Sequence, residues 1–562
     1  MRKSVLLLTA ALMELAAPVF AEDATGIWSG SIDNHLLSLI RIQKTSDGSY
    51  TGTFTDHEQP LGKPDDHAVT DVPISHILAT PDHLSFEVTA IGGALFDGEW
   101  DNTARQWAGT FQWGKDGYRS QLRLKRTDAT ALAAAFPENK PRVYASPAEE
   151  AAEMEKLIDG YMKDDRFMGA ILVSQNGQNI IDKGYGYADL ATETPNRPDT
   201  SFEIASITKS FTATAILMLQ DRGRFSIDDP IGKYIENTPN AWDGITLRHL
   251  LTHMSGLGDY NPLIAKRYGE DMTPAQIVDI IRGMPLDSRP GEKYQYSNAG
   301  YALLGAVIEK TSGQSYGDFL RENIFVPLHM DATAYNPAAR PDRALGYLQG
   351  DEAPTPAPAR NLSNTFATGG IVSTTHDLLK WQEGLFDGHL ISAKALAEMM
   401  AQNLGIVHIS ADAHMAYMHS GHLPGFVSNA AYEPEGRLAI NVFGNLDNSS
   451  PIWISTGLAT IAHGYPAEVV PMPQAIAVAP EILAQYVGTY VLMPNFSLTV
   501  TLENGHLMVQ ATDQEKVSAF PESETMFFAK IVEAKLEFVR DKDGQISCIL
   551  HQAGRDIPGV RQ

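Results

Sequence analysis

The chain has 562 residues, 43% hydrophobic and 20% charged, a composition that excludes a disordered or fibrous protein and leaves room for about three to four globular domains. A formal charge of −25 at pH 7 excludes the basic surface that a nucleic-acid partner requires. Its one cysteine, Cys548, excludes both an internal disulfide and a thiolate metal cluster within a single chain.

The first element in chain order is Arg2-Lys3 followed by an apolar run from Val5 to Met13 and then Pro18-Val19-Phe20-Ala21. This is the pattern of a secretory signal over residues 1–21, with Val19 and Ala21 as the small residues before a cut and Glu14 as an irregularity. No other apolar run reaches the roughly 18 residues of a membrane span. The expectation is an exported chain, periplasmic or secreted, without a transmembrane segment once the signal is removed, an uncleaved signal anchor being the alternative.

Residues 22–127 alternate apolar and polar in short runs such as Leu37 to Ile42, Tyr50 to Phe54 and Leu122 to Lys125, which predicts an antiparallel barrel or sandwich. Trp28, Trp100, Trp107 and Trp113 recur in it, the later ones beside Asp97-Gly98 and Asp116-Gly117 turns. Aromatic residues at strand spacing belong to a core, a carbohydrate-binding face being the alternative. Residues 128–147 read as a linker.

The central domain, residues 148–465, opens with a helix over 148–161 and a hairpin whose strands flank Asn176-Gly177. Next comes Phe202 to Phe211, where Ser206 and Lys209 stand three residues apart just before the apolar run Ala213 to Leu219, which stops at Gly223. A helix apolar on nearly every side belongs inside a core. Ser206 in its first turn feels the unpaired N–H groups and partial positive charge of the helix start, which stabilise an oxyanion. Lys209 lies on the same face, and burial there pushes it toward the neutral form that accepts a serine proton.

Further on, His249 and His253 stand at i and i+4, but no glutamate follows His249 as a zinc-protease string demands, so both read as structural. Pro290 to Asn298 is a polar loop carrying Tyr294, Tyr296 and Asn298 into the start of an apolar helix. Gly313-Gln314-Ser315-Tyr316-Gly317 matches the nucleophile-elbow string, yet a helix ends at Gly313 where an elbow needs a strand, which makes Ser315 an N-cap. Thr374 or Thr375 caps a helix through Trp381. Strands then return at Tyr417 to Gly421, Gly425 to Ser428 and Leu438 to Phe443, and with the first hairpin they build a sheet from both ends of the domain. Residues 466–480 form a second, Pro-rich linker, and residues 481–562 a second β-domain with turns at Asn504-Gly505 and Asp543-Gly544.

As a set, Ser206-x-x-Lys209, Tyr296-Ser297-Asn298 and His419-Ser420-Gly421 resemble, in order and approximate spacing, the three active-site motifs of serine β-lactamases and penicillin-binding proteins. The tyrosine resembles class C β-lactamases, D-alanyl-D-alanine carboxypeptidases and related esterases. Leu250 to Leu257 and Gly369 to Thr374 also look like strings of that family. The resemblance spans residues 146–465 and implies an α/β (α+β) core with an antiparallel sheet and helices, flanked by lipocalin-like all-β domains.

It further implies that Ser206 forms an acyl-enzyme with Lys209 and Tyr296 sharing the proton work, the base being either of them. Asn298 would hold Lys209 and the substrate amide, and the backbone N–H groups of Ser206 and His422 would form the oxyanion hole. His419 departs from the lysine of β-lactamases. A histidine near its reference pKa of ~6.5 is mostly neutral at pH 7, so it would donate a hydrogen bond to Tyr296 and leave Ser420 to meet the substrate. The expected activity is hydrolysis of small peptides or amides, of D-amino-acid peptidase or carboxypeptidase type, with no cofactor and no metal. The alternatives are a carboxylesterase, a β-lactamase and a non-catalytic module that binds peptidoglycan, which is also a candidate partner for the enzyme.

Overall fold

The computed structural model describes residues 24–32, 36–45, 49–58, 72–80, 82–88, 94–101, 105–112, 119–127, 142–163, 165–264, 267–337, 342–350, 353–411, 414–469, 475–493, 496–503, 505–512, 516–529, 534–541, 544–552 and 555–562. The expected signal over residues 1–21, most of the first linker, part of the second, Trp113, Asp116-Gly117, Asn504 and Asp543 lie outside the described residues. Two compact units are present, the first ending before Arg142.

The N-terminal unit is a closed barrel of eight antiparallel strands from Gly26–Ile32 to Arg119–Thr127. Alternation along Ala94–Asp101 sends Ala94, Phe96 and Gly98 inward and the residues between them outward, as period-two patterning requires. Trp28 and Trp107 are fully buried and pack with Trp100 at ring-centroid separations of 5.1 to 6.2 Å. Those three tryptophans are therefore core.

In the second unit the central domain is built on a six-stranded antiparallel sheet. Its strand order is Gln178–Tyr185, Gly169–Gln175, Leu438–Gly444, Phe426–Glu433, His414–Leu423, Val407–Ala411. The join between the two ends of the domain is the pairing of Gly169–Gln175 with Leu438–Gly444. One face of this join buries Ile171, Val173, Ile440 and Val442 against the helices Pro147–Lys163 and Pro451–Ala462. The other face sends Ala170 and Phe443 into a larger core shared with the helices Thr208–Asp221, Pro274–Arg282 and Asn298–Ser312. Thr208–Asp221 is buried on every side from Thr208 to Leu219. Its hydroxyls survive there by bonding backwards, Ser210 to the Ile207 carbonyl at 2.6 Å and Thr214 to the Ser210 carbonyl at 2.8 Å.

The C-terminal strands, Gly488–Met493 to Arg555–Arg561, close into a second eight-stranded barrel through the pairing of Tyr490 with Arg561. Cys548 is buried inside it, and burial pushes its thiol up to about 12. Both all-β domains are thus eight-stranded barrels, which is as far as the geometry carries the lipocalin comparison. No helix among the described residues is long and apolar enough to cross a membrane.

Candidate active site

Ser206 sits in a 3-10 turn, Ala205–Ile207, that runs straight into Thr208–Asp221. The turn is held from two sides. Phe202–Glu203 pairs with Ile371–Ser373, and the Ile204 N–H donates to the Ile371 carbonyl at 3.1 Å. Ser428 Oγ donates to the Ile204 carbonyl at 3.0 Å. Ala205, just before the serine, takes φ +48°, a left-handed conformation that costs a non-glycine residue about 1–2 kcal/mol.

The strand that carries the third motif borders this turn. Its pairing with Val407–Ala411 ends at Met418, so from His419 to Leu423 its one strand partner among the described residues is Phe426–Glu433. Gly421 lies against the turn itself: a Cβ there would collide with the Ile204 carbonyl oxygen and stand 3.0 Å from the Ala205 Cβ. Glycine is what allows the strand edge to approach the nucleophile. We expect Gly421→Ala to slow reaction of Ser206 with a fluorophosphonate by about 10²-fold through misplacement of the turn. The accompanying overpacking of about 1–3 kcal/mol would show as a lowered melting temperature.

Lys209 Nζ donates to Ser206 Oγ at 3.0 Å and to the Thr368 carbonyl at 2.9 Å. The lysine is fully buried, and desolvation lowers its pKa to about 7 against the opposing charge of Asp259. Its Nζ lies 5.0 Å from the centroid of the Tyr296 ring and 5.8 Å from that of Tyr301. Tyr296 exposes 40% of its surface at the cleft, yet desolvation raises its pKa to about 12, opposed by a hydrogen bond with Ser206. The Gly369 to Thr374 string also has its place here. Thr368 just before it holds Lys209, and the Ala367 carbonyl accepts from Thr212 Oγ1 at 2.7 Å.

His419 is near enough for Lys209 to act on it, and burial followed by that interaction lowers its pKa to about 4. Its Nδ1 donates to the Ser420 carbonyl at 2.6 Å. A neutral ring with Nδ1 protonated leaves Nε2 an acceptor, so the hydrogen bond that sequence had His419 give to Tyr296 is corrected: the proton goes to Ser420. Asn298 Nδ2 donates to both Asp259 oxygens, at 3.2 and 3.1 Å, and no bond from it to Lys209 is present among the described residues. The His422 side chain is exposed and bonds Asp447 at 2.9 Å.

Two further residues belong to this cluster. His253 accepts the Ser297 N–H on Nδ1 at 3.1 Å and stacks on Tyr296 with ring centroids 4.5 Å apart. Desolvation lowers its pKa to about 3, with Lys209 and His419 adding to the effect. Asp259 is the other, through Asn298. His249, by contrast, caps its own short helix, accepting the Thr246 N–H at 3.3 Å. Ser315 accepts the Asp318 N–H as an N-cap, at 3.1 Å. Among the described residues no group of three His, Cys, Asp or Glu side chains could hold a metal.

Comparison with known proteins follows the same division of the chain. The model of the Beta-lactamase family matches residues 154–456, and that of a domain of unknown function, DUF3471, matches residues 472–556. Penicillin-binding protein 4* of Bacillus subtilis (strain 168) is 28% identical over 443 residues, covering 73% of this chain and 98% of that protein. An octameric penicillin-binding protein homologue from Pyrococcus abyssi shares the fold, with a TM-score of 0.52 at 24% identity over 73% of this chain and 99% of that one. The D-amino acid amidase of Ochrobactrum anthropi SV3, solved with L-phenylalanine amide, gives a TM-score of 0.50 at 26% identity over 56% of this chain and 96% of that one.

Proposed function

The chain belongs to the Beta-lactamase family and is a serine hydrolase, and from that premise we propose that it cleaves small peptides or amides through an acyl-enzyme on Ser206. The observation that carries the reading is the Lys209 amine, enclosed at 3.0 Å from Ser206 Oγ with its pKa at about 7. A lysine so placed is half neutral near physiological pH and accepts the serine proton. Tyr296, pushed to about 12, keeps its own proton and serves as a donor rather than the base.

In this scheme Lys209 removes the Ser206 proton as Oγ bonds to the substrate carbonyl carbon. The negative charge that develops on the carbonyl oxygen meets the N–H groups of Ser206 and His422, at the head of a helix and on the adjoining strand edge. The carbon–nitrogen bond then breaks, and the proton passes through Lys209 and Tyr296 to the leaving nitrogen. A water that gives its proton to Lys209 splits the ester, releasing the acid and restoring the serine. His419, held neutral with a pKa of about 4, supplies no permanent cation for a β-lactam carboxylate, which favours peptides and amides. The D-amino acid amidase among the structural relatives points the same way. Export to the periplasm or beyond is part of the proposal and rests on the signal-like residues 1–21.

The test is a panel of a chromogenic ester, a D-alanyl anilide and a cephalosporin, together with mass mapping of a fluorophosphonate adduct. Turnover of the anilide, with the ester faster and the cephalosporin slowest, and an adduct on Ser206 are expected. If no substrate is turned over and no adduct forms, the hydrolase reading of the site is lost; an adduct on Ser315 would move the nucleophile.

A further inference from the structure

We propose that Asp259 anchors a free ammonium group on the substrate, so that the amides cleaved are those with an open amino end. The inference rests on the acyl-enzyme reading of Ser206 and adds the recognition that selects its substrate.

Among the described residues the basic groups around Ser206 are poor anchors for a substrate carboxylate. Lys209, His253 and His419 are all pushed toward their neutral forms by burial. Arg360, with its side chain 10% exposed, shares Glu203, at 3.5 Å, with Arg343 and donates to the Pro424 carbonyl. A carboxylate is available instead. Asp259 is exposed, and no lysine, arginine or histidine pairs with it among the described residues.

Its position is fixed rather than floppy. Oδ1 accepts the Asn261 N–H at 3.1 Å, and Asn298 Nδ2 binds both oxygens, which leaves Oδ2 with unused acceptor capacity. The preceding residue is tied to the second motif, Ser297 Oγ donating to the Gly258 carbonyl at 2.9 Å. Asp259 thus reaches the catalytic groups through Asn298, two residues from Tyr296, and it is the one charged side chain that acts on both Lys209 and Tyr296 among the described residues. Tyr296, which Asp259 acts on, is 40% exposed and stacks on His253, and Tyr294, 60% exposed, packs on the same histidine. A carboxylate on the same loop cluster as the Tyr296 ring matches an amine that carries an apolar or aromatic side chain.

The experiment compares phenylalanine p-nitroanilide of each configuration with its N-acetylated form at pH 7, where the free amino group of ordinary pKa near 7.7–8.0 is mostly charged. The wild-type enzyme is expected to prefer the free amine, and Asp259→Asn to lower the ratio of kcat/KM values for amine and acetylated substrate by about 10- to 100-fold, mainly through KM. Asp259→Glu should recover part of that ratio. If Asp259 only holds Asn298 in place, both substrates will suffer alike and the ratio will not move, which overturns the proposal. A second readout does not need turnover: phenethylamine should slow fluorophosphonate labelling of Ser206 more than 2-phenylethanol does, and the difference should vanish in Asp259→Asn. Equal protection by amine and alcohol in the wild-type enzyme also overturns it. Labelling of Ser206 with no amine preference would sink the anchor alone, whereas absence of labelling would sink the hydrolase reading and the anchor with it.

Discussion

Replacing Ser206 with alanine is expected to reduce turnover of every substrate by about 10⁴-fold or more, since Ser206 is the hydroxyl that Lys209 holds at 3.0 Å. Initial rates on the ester and anilide check this, with the fluorophosphonate adduct absent from the intact mass. The fold should be retained. The Ser206 hydroxyl lies at the cleft, its removal opens no large cavity, and Lys209 keeps its bond to the Thr368 carbonyl at 2.9 Å. A variant with native thermal unfolding and no turnover would identify chemistry rather than structure as what was lost. Ser315, the competing serine, is occupied as a helix cap and is hydrogen-bonded to the Asp318 carboxylate at 2.6 Å.

Lys209→Met is the second substitution with a large expected effect. Removing a general base costs about 10² to 10⁴ in rate. Methionine suits a site that is already fully buried, so the loss should come in acylation and not in folding. The pH dependence separates the base from a merely structural lysine. Because the neutral amine is the active form and its pKa is lowered to about 7, acylation by the wild-type enzyme should rise as pH increases through about 7 and level off above it. That limb should be missing in Lys209→Met. If the limb persists in the variant, another group titrates there and Lys209 is not the base; a limb near 12 in the wild-type enzyme would point to Tyr296.

Much of this arrangement was legible in the residues because each motif is local. Ser206 and Lys209 are one helical turn apart, and Tyr296 with Asn298 leads into another core helix, so short strings carried them. Period-two patterning likewise marked both all-β domains, though not their closure into barrels, and the strands at 417–443. What stayed hidden depends on the path of the backbone. His249 and His253 look like one helical face, but the helix stops at Leu251 and His253 takes φ +56°, which turns its ring back onto Tyr296. The choice between Lys209 and Tyr296 as base required knowing how deeply each is desolvated, and that comes from segments as distant as Thr368. Asp259 reads as an ordinary loop residue until Asn298, 39 positions away, is seen to bind it.

The pairing of Gly169–Gln175 with Leu438–Gly444 has a mechanical consequence. The central domain starts and finishes at one clasp, where Pro147–Lys163 lies on Pro451–Ala462 and the Arg142 N–H donates to the Gly464 carbonyl at 2.8 Å. The side chains that those two helices bury belong to a different core from the one around the nucleophile helix. Tension applied along the chain through the segments on either side is therefore borne as shear between two helices. Those helices cover the sheet face turned away from the nucleophile helix, so the load enters the domain on the side opposite Ser206.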